Sequence, residues 1–344
     1  MKQFDKAIIE VSRGNIVESI HTADVAISDA KGNLIASFGD VEKAVFPRSA
    51  IKSFQALPMV EAGVDELYGF GNDHIALSCS SHNGESIHVK GAREMLAKAG
   101  FDVSDLECGA HLPELETDKA TLHIAGQKPS ALHNNCSGKH SGMLAFAKSQ
   151  GFDTQNYVSR DHPIQKEIAV NLENLMGAPH SESVCGIDGC SLPTYAVPLA
   201  NIAKAAARFG SGEGMGKERA NAAQKIIHAC CDHPMMVAGT GRVCTQIMEV
   251  LGRKCFVKTG AEGVFLAIIP ELGIGAAIKI NDGAKRASEV LVAQLIASIL
   301  PMNDEQRTQI ERIANPKLKN WNKILVGGIQ TSPETKKILD SLHP

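Results

Sequence analysis

Aromatic residues are scarce in this chain of 344 residues. They make up 4% of the sequence, with one tryptophan and three tyrosines. Proteins that bind single-stranded nucleic acid stack its bases on aromatic side chains, so this composition argues against such a partner. The net charge is −3 and both signs are scattered along the chain, which provides no basic surface for nucleic acid or for an anionic membrane.

Long apolar runs are also missing. The longest stretches, such as 264–270 and 274–278, are far too short to span a bilayer. The N-terminal segment MKQFDKAIIEVSRGN mixes charged and apolar residues and lacks the continuous apolar core of a signal peptide. Nine cysteines without an export signal predict reduced thiols rather than a disulfide framework. We therefore expect a cytoplasmic protein that contacts no membrane.

Strand-like and helix-like segments follow one another in a clear order. Residues 1–45 have strand-like runs, with a hairpin turn at Lys31-Gly32-Asn33. The segments between 84 and 235 mostly have helical periodicity, and many end at glycine or proline. Strand-like runs return at 254–280, and a helix is predicted at 283–300.

This order predicts the fold class. We expect an α/β (or α+β) protein whose antiparallel sheet is built from both ends of the chain, about 1–45 and 240–344. A mainly helical region, about 46–239, is inserted between them. Since no linker separates these parts, we expect a single domain over 1–344.

The segment FPRSAIKSFQALP (46–58) contains a Ser-x-x-Lys motif, formed by Ser49 and Lys52. Pro47 is typical of a first helical turn, and Pro58 is expected to end the helix. Residues three apart are neighbours on a helix, so Lys52 can reach the Ser49 hydroxyl. A lysine acts as a base only when neutral, which burial or a second cation favours. By itself the motif is more typical of a solvated helix face.

Two further segments complete a recognisable set. Ser81 and Asn83 stand in a hydroxyl-rich turn, SSHNG, which alone indicates a capping turn. Lys258 begins a Lys-Thr-Gly sequence on a late strand, which alone is an ordinary strand end. Ser-x-x-Lys, Ser-x-Asn and Lys-Thr-Gly in this order are the signature of serine β-lactamases and penicillin-binding proteins. In that arrangement Lys258 is the second cation beside Lys52, and the backbone N–H groups of Ser49 and Ala261 form an oxyanion hole.

A fourth cluster does not belong to penicillin-binding enzymes. The segments HNNCSGKHSG (133–142) and VCGIDGCSLPTY (184–195) place cysteine, histidine and aspartate in glycine-rich turns. Their spacing suggests zinc held by Cys136 and Cys190 with either His140 or Asp188. The alternative is a pair of buried reduced cysteines, because no Cys-x-x-Cys motif is present.

These segments together resemble the L-asparaginase II family, the asparaginases of Rhizobium etli type. The resemblance lies in VESIH, GDVEKAVFPRSAIKSFQALP, SCSSHNGE, HNNCSGKHSGML, CGIDGCSLPTYAVPL and VKTGAEGVF, which occur in the same order over nearly the whole chain. It implies a serine β-lactamase-like fold, a homodimer and hydrolysis of L-asparagine to L-aspartate and ammonia.

The resemblance also implies roles for individual residues. Two Ser–Lys tandems are Ser49 with Lys52 and Ser81 with Lys258. The zinc site is implied to consist of three ligands, with Asp188 beside them: Cys136, Lys139 and Cys190. The resemblance therefore implies Lys139 as the third zinc ligand, whereas the spacing alone allowed His140 or Asp188.

The remaining site predictions concern the substrate. Arg48 and Asp188 are expected to bind its α-carboxylate and α-ammonium groups, with Asn83 and Ala261 as further contacts. Two alternatives stay open at this point. One is a related serine hydrolase acting on another amide or a β-lactam, and the other is a non-catalytic metal-thiol sensor on the same fold.

Overall fold

We describe the protein from a computed structural model in which residues 2–342 are defined. The strands are β1 Lys2–Phe4, β2 Ala7–Arg13, β3 Ile16–Ser28, β4 Leu34–Phe38, β5 Ala44–Val45, β6 Cys185–Ile187, β7 Pro193–Tyr195, β8 Val197–Pro198, β9 Phe256–Thr259, β10 Val264–Ile269, β11 Ile274–Ile280, β12 Lys317–Lys319 and β13 Leu325–Thr331. The helices are α1 Lys52–Gln55, α2 Leu57–Glu61, α3 Val64–Tyr68, α4 Asn72–Ser78, α5 Ser86–Ala99, α6 Glu116–Ile124, α7 Ser137–Ser149, α8 Pro163–Met176, α9 Leu199–Ser211, α10 Lys217–Asp232, α11 Pro234–Val237, α12 Val243–Leu251, α13 Lys285–Ile299, α14 Asp304–Ala314 and α15 Pro333–Asp340.

The chain divides into two compact units. The sheet unit consists of residues 1–50, 197–213 and 247–344, and the helical unit consists of 51–196 and 214–246. The sheet unit contains a nine-stranded sheet whose main path runs β12-β13-β2-β3-β11-β10-β9, with β4 paired to β3 and β1 paired to β4. Every pairing along the main path is antiparallel.

Strands from opposite ends of the sequence meet in this sheet. Val11 of β2 lies opposite Ile329 of β13, and Ala26 of β3 lies opposite Ala277 of β11. The predicted α/β class, with an antiparallel sheet drawn from both chain ends and a helical insertion, is therefore confirmed.

Helix α7 is the centre of the helical unit. It packs against α4 and α5, and eleven of its thirteen residues are buried, so its position is determined by neighbours on every side. Glycine and alanine along SGKHSGMLAFAKS allow this close packing. The residue just before α7 is Cys136, and Lys139 lies in its first turn.

Most local predictions are confirmed, and one is wrong. Residues 29–33 form the expected hairpin turn, in which the Asp29 N–H donates to the Asn33 carbonyl at 2.9 Å. Helix α13 corresponds to the helix predicted at 283–300. Pro58, however, does not end a helix. It lies in the first turn of α2, where the missing N–H of proline removes no helical hydrogen bond.

A helix that crosses a membrane needs a long apolar run, and none of the helices within residues 2–342 has one.

Candidate active site

Lys52, the first residue of α1, is completely buried in the helical unit. Its Nζ group donates to the Ser80 carbonyl and to the Ser81 hydroxyl, the latter at 2.9 Å. The Sγ atom of Cys136 is 3.0 Å from the same Nζ atom. The structure therefore brings together one lysine, one serine and one cysteine from three of the segments singled out in the sequence.

Backbone pairing fixes the loop that carries Ser81. The Ser81 N–H donates to the Val237 carbonyl at 2.9 Å, and the Asn83 N–H donates to the Ala238 carbonyl at 3.0 Å. The His82 N–H between them donates to the Asn135 carbonyl at 3.2 Å. The loop is thus held to two separate segments, and the Ser81 side chain has a defined direction toward Lys52.

The Asn83 side chain is saturated by protein contacts. Its amide donates to Glu85 Oε1 and to the Thr240 carbonyl, each at 3.0 Å. Its oxygen accepts from Arg242 at 3.0 Å, and the same Arg242 nitrogen also donates to the Ser81 carbonyl at 3.3 Å. In this arrangement Asn83 holds the loop in place, while its predicted contact with substrate stays a prediction.

Glu85 holds the hydrogen bonds around Asn83 in place through its contacts with Thr240. Its carboxylate accepts from the Thr240 N–H at 2.8 Å and from the Thr240 hydroxyl at 2.7 Å. Burial acts to raise the pKa of Glu85, but the hydrogen bonds from Thr240 and Asn83 outweigh it and lower that pKa. Glu85 is therefore a carboxylate acceptor that stabilises the loop around Ser81.

His82 connects the loop to α7. Its Nδ1 accepts from the Gly84 N–H at 3.0 Å, so Nε2 carries the ring proton and lies 2.9 Å from the Ser137 hydroxyl. The ring stacks on His88 with centroids 4.6 Å apart. Burial, together with the charges of His88 and Lys52, holds the pKa of His82 well below its ordinary value. His82 is a neutral structural link between Ser81 and the start of α7.

Cys136, Lys139 and Cys190 meet in one buried cluster. Cys190 lies in the tight turn between β6 and β7, where Asp188 donates its N–H to the Leu192 carbonyl at 2.8 Å. The Lys139 amine is 3.2 Å from Cys190 Sγ, and the two thiol groups share a hydrogen bond.

The charges in this cluster are unequal. The hydrogen bond from Cys190 and the positive charges of Lys52 and Lys139 lower the pKa of Cys136 well below its ordinary value. The hydrogen bond to Cys136 and burial raise the pKa of Cys190. Negative charge in this pair is therefore favoured on Cys136 rather than on Cys190. Burial opposes a charge on Lys139, but its interactions with Cys190, Cys136 and Asp188 outweigh burial and raise its pKa.

The donors in this cluster are not a conventional set. Within residues 2–342, no three histidine, cysteine, aspartate or glutamate side chains come together as a metal site. The nitrogen donors beside the two cysteines are the amines of Lys139, 3.2 Å from Cys190 Sγ, and of Lys52, 3.0 Å from Cys136 Sγ. His140, which the spacing alone also allowed, directs its Nδ1 to the Tyr157 hydroxyl at 2.7 Å.

Four predicted residues belong to the sheet unit: Arg48, Ser49, Lys258 and Ala261. Ser49 stands in a short 3₁₀ turn, Arg48–Ile51, and Lys258 is buried in β9 with its amine 2.9 Å from the Thr259 carbonyl. Gly260 allows the two segments to touch. A Cβ atom there would lie 2.7 Å from the Pro47 carbonyl oxygen and 3.2 Å from the Ala50 nitrogen.

The turn around Ser49 has unusual backbone geometry. Arg48 has a φ angle of +51°, which residues other than glycine rarely adopt. Neither Ser49 nor Ala261 donates its backbone N–H to another group in the described part of the chain. Strain and free donors of this kind are common at functional sites.

Arg48 also lines a cavity of about 270 Å³ in the sheet unit. Its other charged lining residues are Asp24, Lys43, Glu262 and Lys279. Asp24 accepts from the Asn281 amide at 2.7 Å, and with Arg48 the lining has three cationic side chains and two carboxylates. The cavity is large enough for an amino acid and has the charge to attract a carboxylate.

Sequence reasoning missed Arg242, Thr240 and Glu85. Glu85 follows the Ser-x-Asn motif in SCSSHNGE without being part of it. Thr240 and Arg242 lie in a segment that carries no catalytic motif, and Arg242 is 161 positions from Ser81. The available signal was the pair of glycines in GTGR (239–242), which marks a backbone with special conformational needs.

The L-asparaginase II family profile matches residues 9–331. A search of curated proteins found no significant match. Among solved structures, a β-lactamase candidate from Bacteroides dorei DSM 17855 has a TM-score of 0.36 and 14% identity over 82% of this chain and 89% of its own. A structure titled Mglu has a TM-score of 0.33 and 15% identity, and the match covers 77% of this chain and 64% of its own.

Neither structural similarity is high enough to support a statement about chemistry. The family match is different, because it extends over most of the chain and includes every predicted site residue. It suggests asparagine amidohydrolase activity. The chain belongs to the L-asparaginase II family.

Proposed function

We propose that this protein is a serine-dependent L-asparaginase that hydrolyses L-asparagine to L-aspartate and ammonia. The family match over residues 9–331 carries the proposal. The contact between Lys52 and Ser81 supports it, because a buried amine bonded to a serine hydroxyl is a proton-transfer pair. Localisation in the cytoplasm remains our expectation from the sequence.

The reaction begins with neutral Lys52 as the base. Lys52 takes the proton of Ser49, and the Ser49 oxygen attacks the side-chain amide carbon of asparagine. The free N–H groups of Ser49 and Ala261 are the donors proposed to stabilise the oxyanion. The C–N bond then breaks, and ammonia leaves with a proton relayed through Ser81.

Water completes the cycle by hydrolysing the aspartyl ester on Ser49. Lys258 is proposed as the partner of Ser81 in the relay, as the family resemblance implies. Arg48 is proposed to bind the substrate α-carboxylate, which the cationic cavity beside it supports. Asp188 is proposed to bind the α-ammonium group.

We also propose a zinc ion held by Cys136, Lys139 and Cys190. The donors fit the metal, because zinc prefers sulfur and nitrogen ligands and the lowered pKa of Cys136 favours its thiolate form. When bound, zinc would supply a positive charge that orders these segments and helps to position the substrate. The chemical steps above are assigned to the protein side chains alone.

The experiment is an ammonia-release assay on wild type, Ser49→Ala and Ser81→Ala, with asparagine and glutamine as substrates. Both variants are expected to lose activity, and mass spectrometry of quenched wild type should find an aspartyl adduct on Ser49. An adduct on Ser81 instead would reverse the roles of the two serines. Full activity in both variants, or no ammonia from asparagine with wild type, would overturn the proposal.

Ser53→Ala is the matched control. Ser53 is a buried serine one position after Lys52, and its hydroxyl has no hydrogen-bond partner in the described chain. Replacing it removes an unpaired polar group, so activity and folding should be preserved.

A further inference from the structure

The turn that carries Ala261 joins two neighbouring strands of the sheet unit, β9 and β10. The Gly260 N–H donates to the Val264 carbonyl at 2.8 Å, and the Val264 N–H donates back to the Ala261 carbonyl at 3.3 Å. Glu262 and Gly263 therefore form the tip of the turn. Their φ angles are +57° and +68°, and positive angles at both central residues are what a type I′ hairpin turn requires.

The residue type at the first of these two positions is unusual. Turns of this kind favour asparagine, aspartate or glycine at their centre. Gly263 meets this need, and a Cβ atom there would also lie 2.7 Å from Ile280 Cβ. Glu262 adopts the same region of φ with a long side chain, which costs free energy. Such a residue persists only where its surroundings hold it in place.

Lys279 holds the turn from the adjacent strand, β11. It lies opposite Val264, the residue that follows the turn tip, in the pairing of β10 with β11. Its amine donates to the Glu262 carbonyl at 2.7 Å and to the Ile280 carbonyl. The Ile280 N–H donates to the Gly263 carbonyl at 3.0 Å. Both carbonyls of the turn tip are therefore bound to β11.

Direct contact with substrate is the alternative role for Lys279, because this residue also lines the cavity beside Arg48. A protonated lysine amine has three donors, and Lys279 already uses two of them within the protein. The side chain is partly buried, with Val264 and Asp24 opposite it on the two neighbouring strands. These contacts favour a role toward the backbone of the turn.

The position of the turn matters for the Ala261 N–H. Gly260, the residue before Ala261, packs so closely on the segment around Ser49 that a Cβ atom would lie 3.2 Å from the Ala50 nitrogen. The donors of an oxyanion hole must lie about 2.7–3.1 Å from the position that the oxyanion will occupy. A small displacement of the turn would therefore weaken the contribution of the Ala261 N–H.

We propose that Lys279 is a positioning residue for catalysis: by binding the Glu262 carbonyl, it holds the strained turn in the conformation that presents the Ala261 N–H to the oxyanion. The inference rests on the proposed function, which supplies the oxyanion. It adds a residue that belongs to none of the sequence motifs. Lys279 acts through the backbone and does not touch the reacting atoms.

The test is a double-mutant cycle that combines the loss of Lys279 with relief of the strain. Lys279→Met removes both donors, and kcat for ammonia release from asparagine should fall about 10- to 100-fold, with KM little changed, because the oxyanion forms only in the transition state. Lys279→Arg can still donate to both carbonyls and should retain most of kcat.

Glu262→Asn supplies the second arm of the cycle. Asparagine before glycine accepts the positive φ angle, so the turn should no longer need to be held by Lys279. Lys279→Met should therefore lower kcat far less in the Glu262→Asn background than in wild type. A purely structural contribution of Lys279, or a contact with substrate, would give the same loss in both backgrounds.

Lys254→Met serves as the control. Lys254 is also a partly buried lysine of the sheet unit, and its amine donates to Gln306 Oε1 at 3.2 Å, so kcat should be unchanged. Circular dichroism checks that each variant is folded. If Lys279→Met fails to fold, Lys279→Gln, which keeps one donor, replaces it in the same cycle.

Three outcomes would overturn this inference while wild type remains an active asparaginase. They are wild-type kcat in the folded Lys279 variant, an equal loss with and without Glu262→Asn, and a rise in KM at unchanged kcat. The last result would assign Lys279 to the substrate carboxylate. Absence of ammonia release from wild type would instead overturn the proposed function and this inference together.

Discussion

The Nζ atom of Lys52 lies 2.9 Å from the Ser81 hydroxyl, although 29 positions separate the two residues. Cys136 Sγ lies 3.0 Å from the same Nζ atom. Lys52 therefore connects the serine loop with the cysteine cluster inside the helical unit. A change at Lys52 should affect both.

Lys52→Met should remove catalysis while keeping most of the packing. Methionine retains an unbranched apolar side chain but cannot accept or donate the proton, so kcat should fall by about 10²–10⁴. Steady-state ammonia release measures this, with Ser53→Ala as the reference for changes on the same helix. Undiminished kcat in a folded Lys52→Met protein would exclude Lys52 as the base.

Arg242→Met should disturb Ser81 without touching it. The Ser81 carbonyl and Asn83 Oδ1 would lose their Arg242 donor, which should lower the free energy of unfolding by about 1–3 kcal/mol. Because the loop is displaced rather than lost, kcat should fall more than KM rises, and Arg242→Lys should restore part of kcat. Urea unfolding and kinetics on the same samples test both effects.

Arg219→Met is the control for Arg242. Arg219 forms a partly exposed ion pair with Glu61 at 2.8 Å, and such pairs contribute about 1 kcal/mol or less. Equal kinetic losses in the two methionine variants would contradict a positioning role for Arg242.

Gly239→Ala should be far more harmful than Gly241→Ala. Both glycines have positive φ angles, +111° and +74°. A Cβ at Gly239 would lie 2.3 Å from Glu85 Oε1, whereas a Cβ at Gly241 would meet nothing within 4 Å. Gly241→Ala should therefore lower the free energy of unfolding by only about 1–2 kcal/mol, the cost of a positive φ angle in a residue with a Cβ atom. Thermal unfolding compares the pair, and equal midpoints would contradict the close packing at Gly239.

Zinc affinity should rise steeply with pH. Lys139 and Cys190 have raised pKa values and must each lose a proton to become ligands, so binding should release about two protons per metal. Competition with a chelator across neutral and alkaline pH measures the slope. A pH-independent affinity would contradict this ligand set.

Lys139→Met should abolish zinc binding, while Lys148→Met should preserve it. Both lysines are on α7, but the Lys148 amine donates to the Ala99 carbonyl, away from the cysteines. Metal content by mass spectrometry after dialysis distinguishes them. Stoichiometric zinc in Lys139→Met would show that the amine is not required.

The residue types needed for the chemistry could be predicted from the sequence, because motifs such as Ser-x-x-Lys are local. Their partners could not. The motif pairs Lys52 with Ser49, whereas the contact observed in the helical unit is with Ser81. That contact depends on how α1, the loop at 80–85 and α7 pack, and no single segment encodes it.

Pro58 and Arg242 show two reasons why sequence patterns fail to predict structure: a residue type can have two roles, and a contact can join distant segments. Proline both ends helices and begins them, so Pro58 alone could not decide between the two. Arg242 acts through a carbonyl and an amide on a distant loop, and its own neighbours give no sign of that. The fold class was easier to predict, since it follows from the order of strands and helices along the chain.

The strand order also determines when each unit can form during synthesis. Most of the helical unit is complete once residue 246 has been made, whereas the sheet cannot close until β13 is available to pair with β2. Pairings of such high sequence separation fold slowly, because a long loop must close first. During that interval the edge of β2 is unpaired and prone to association. We expect the lysine–cysteine cluster to be in place on the ribosome before the sheet unit is finished.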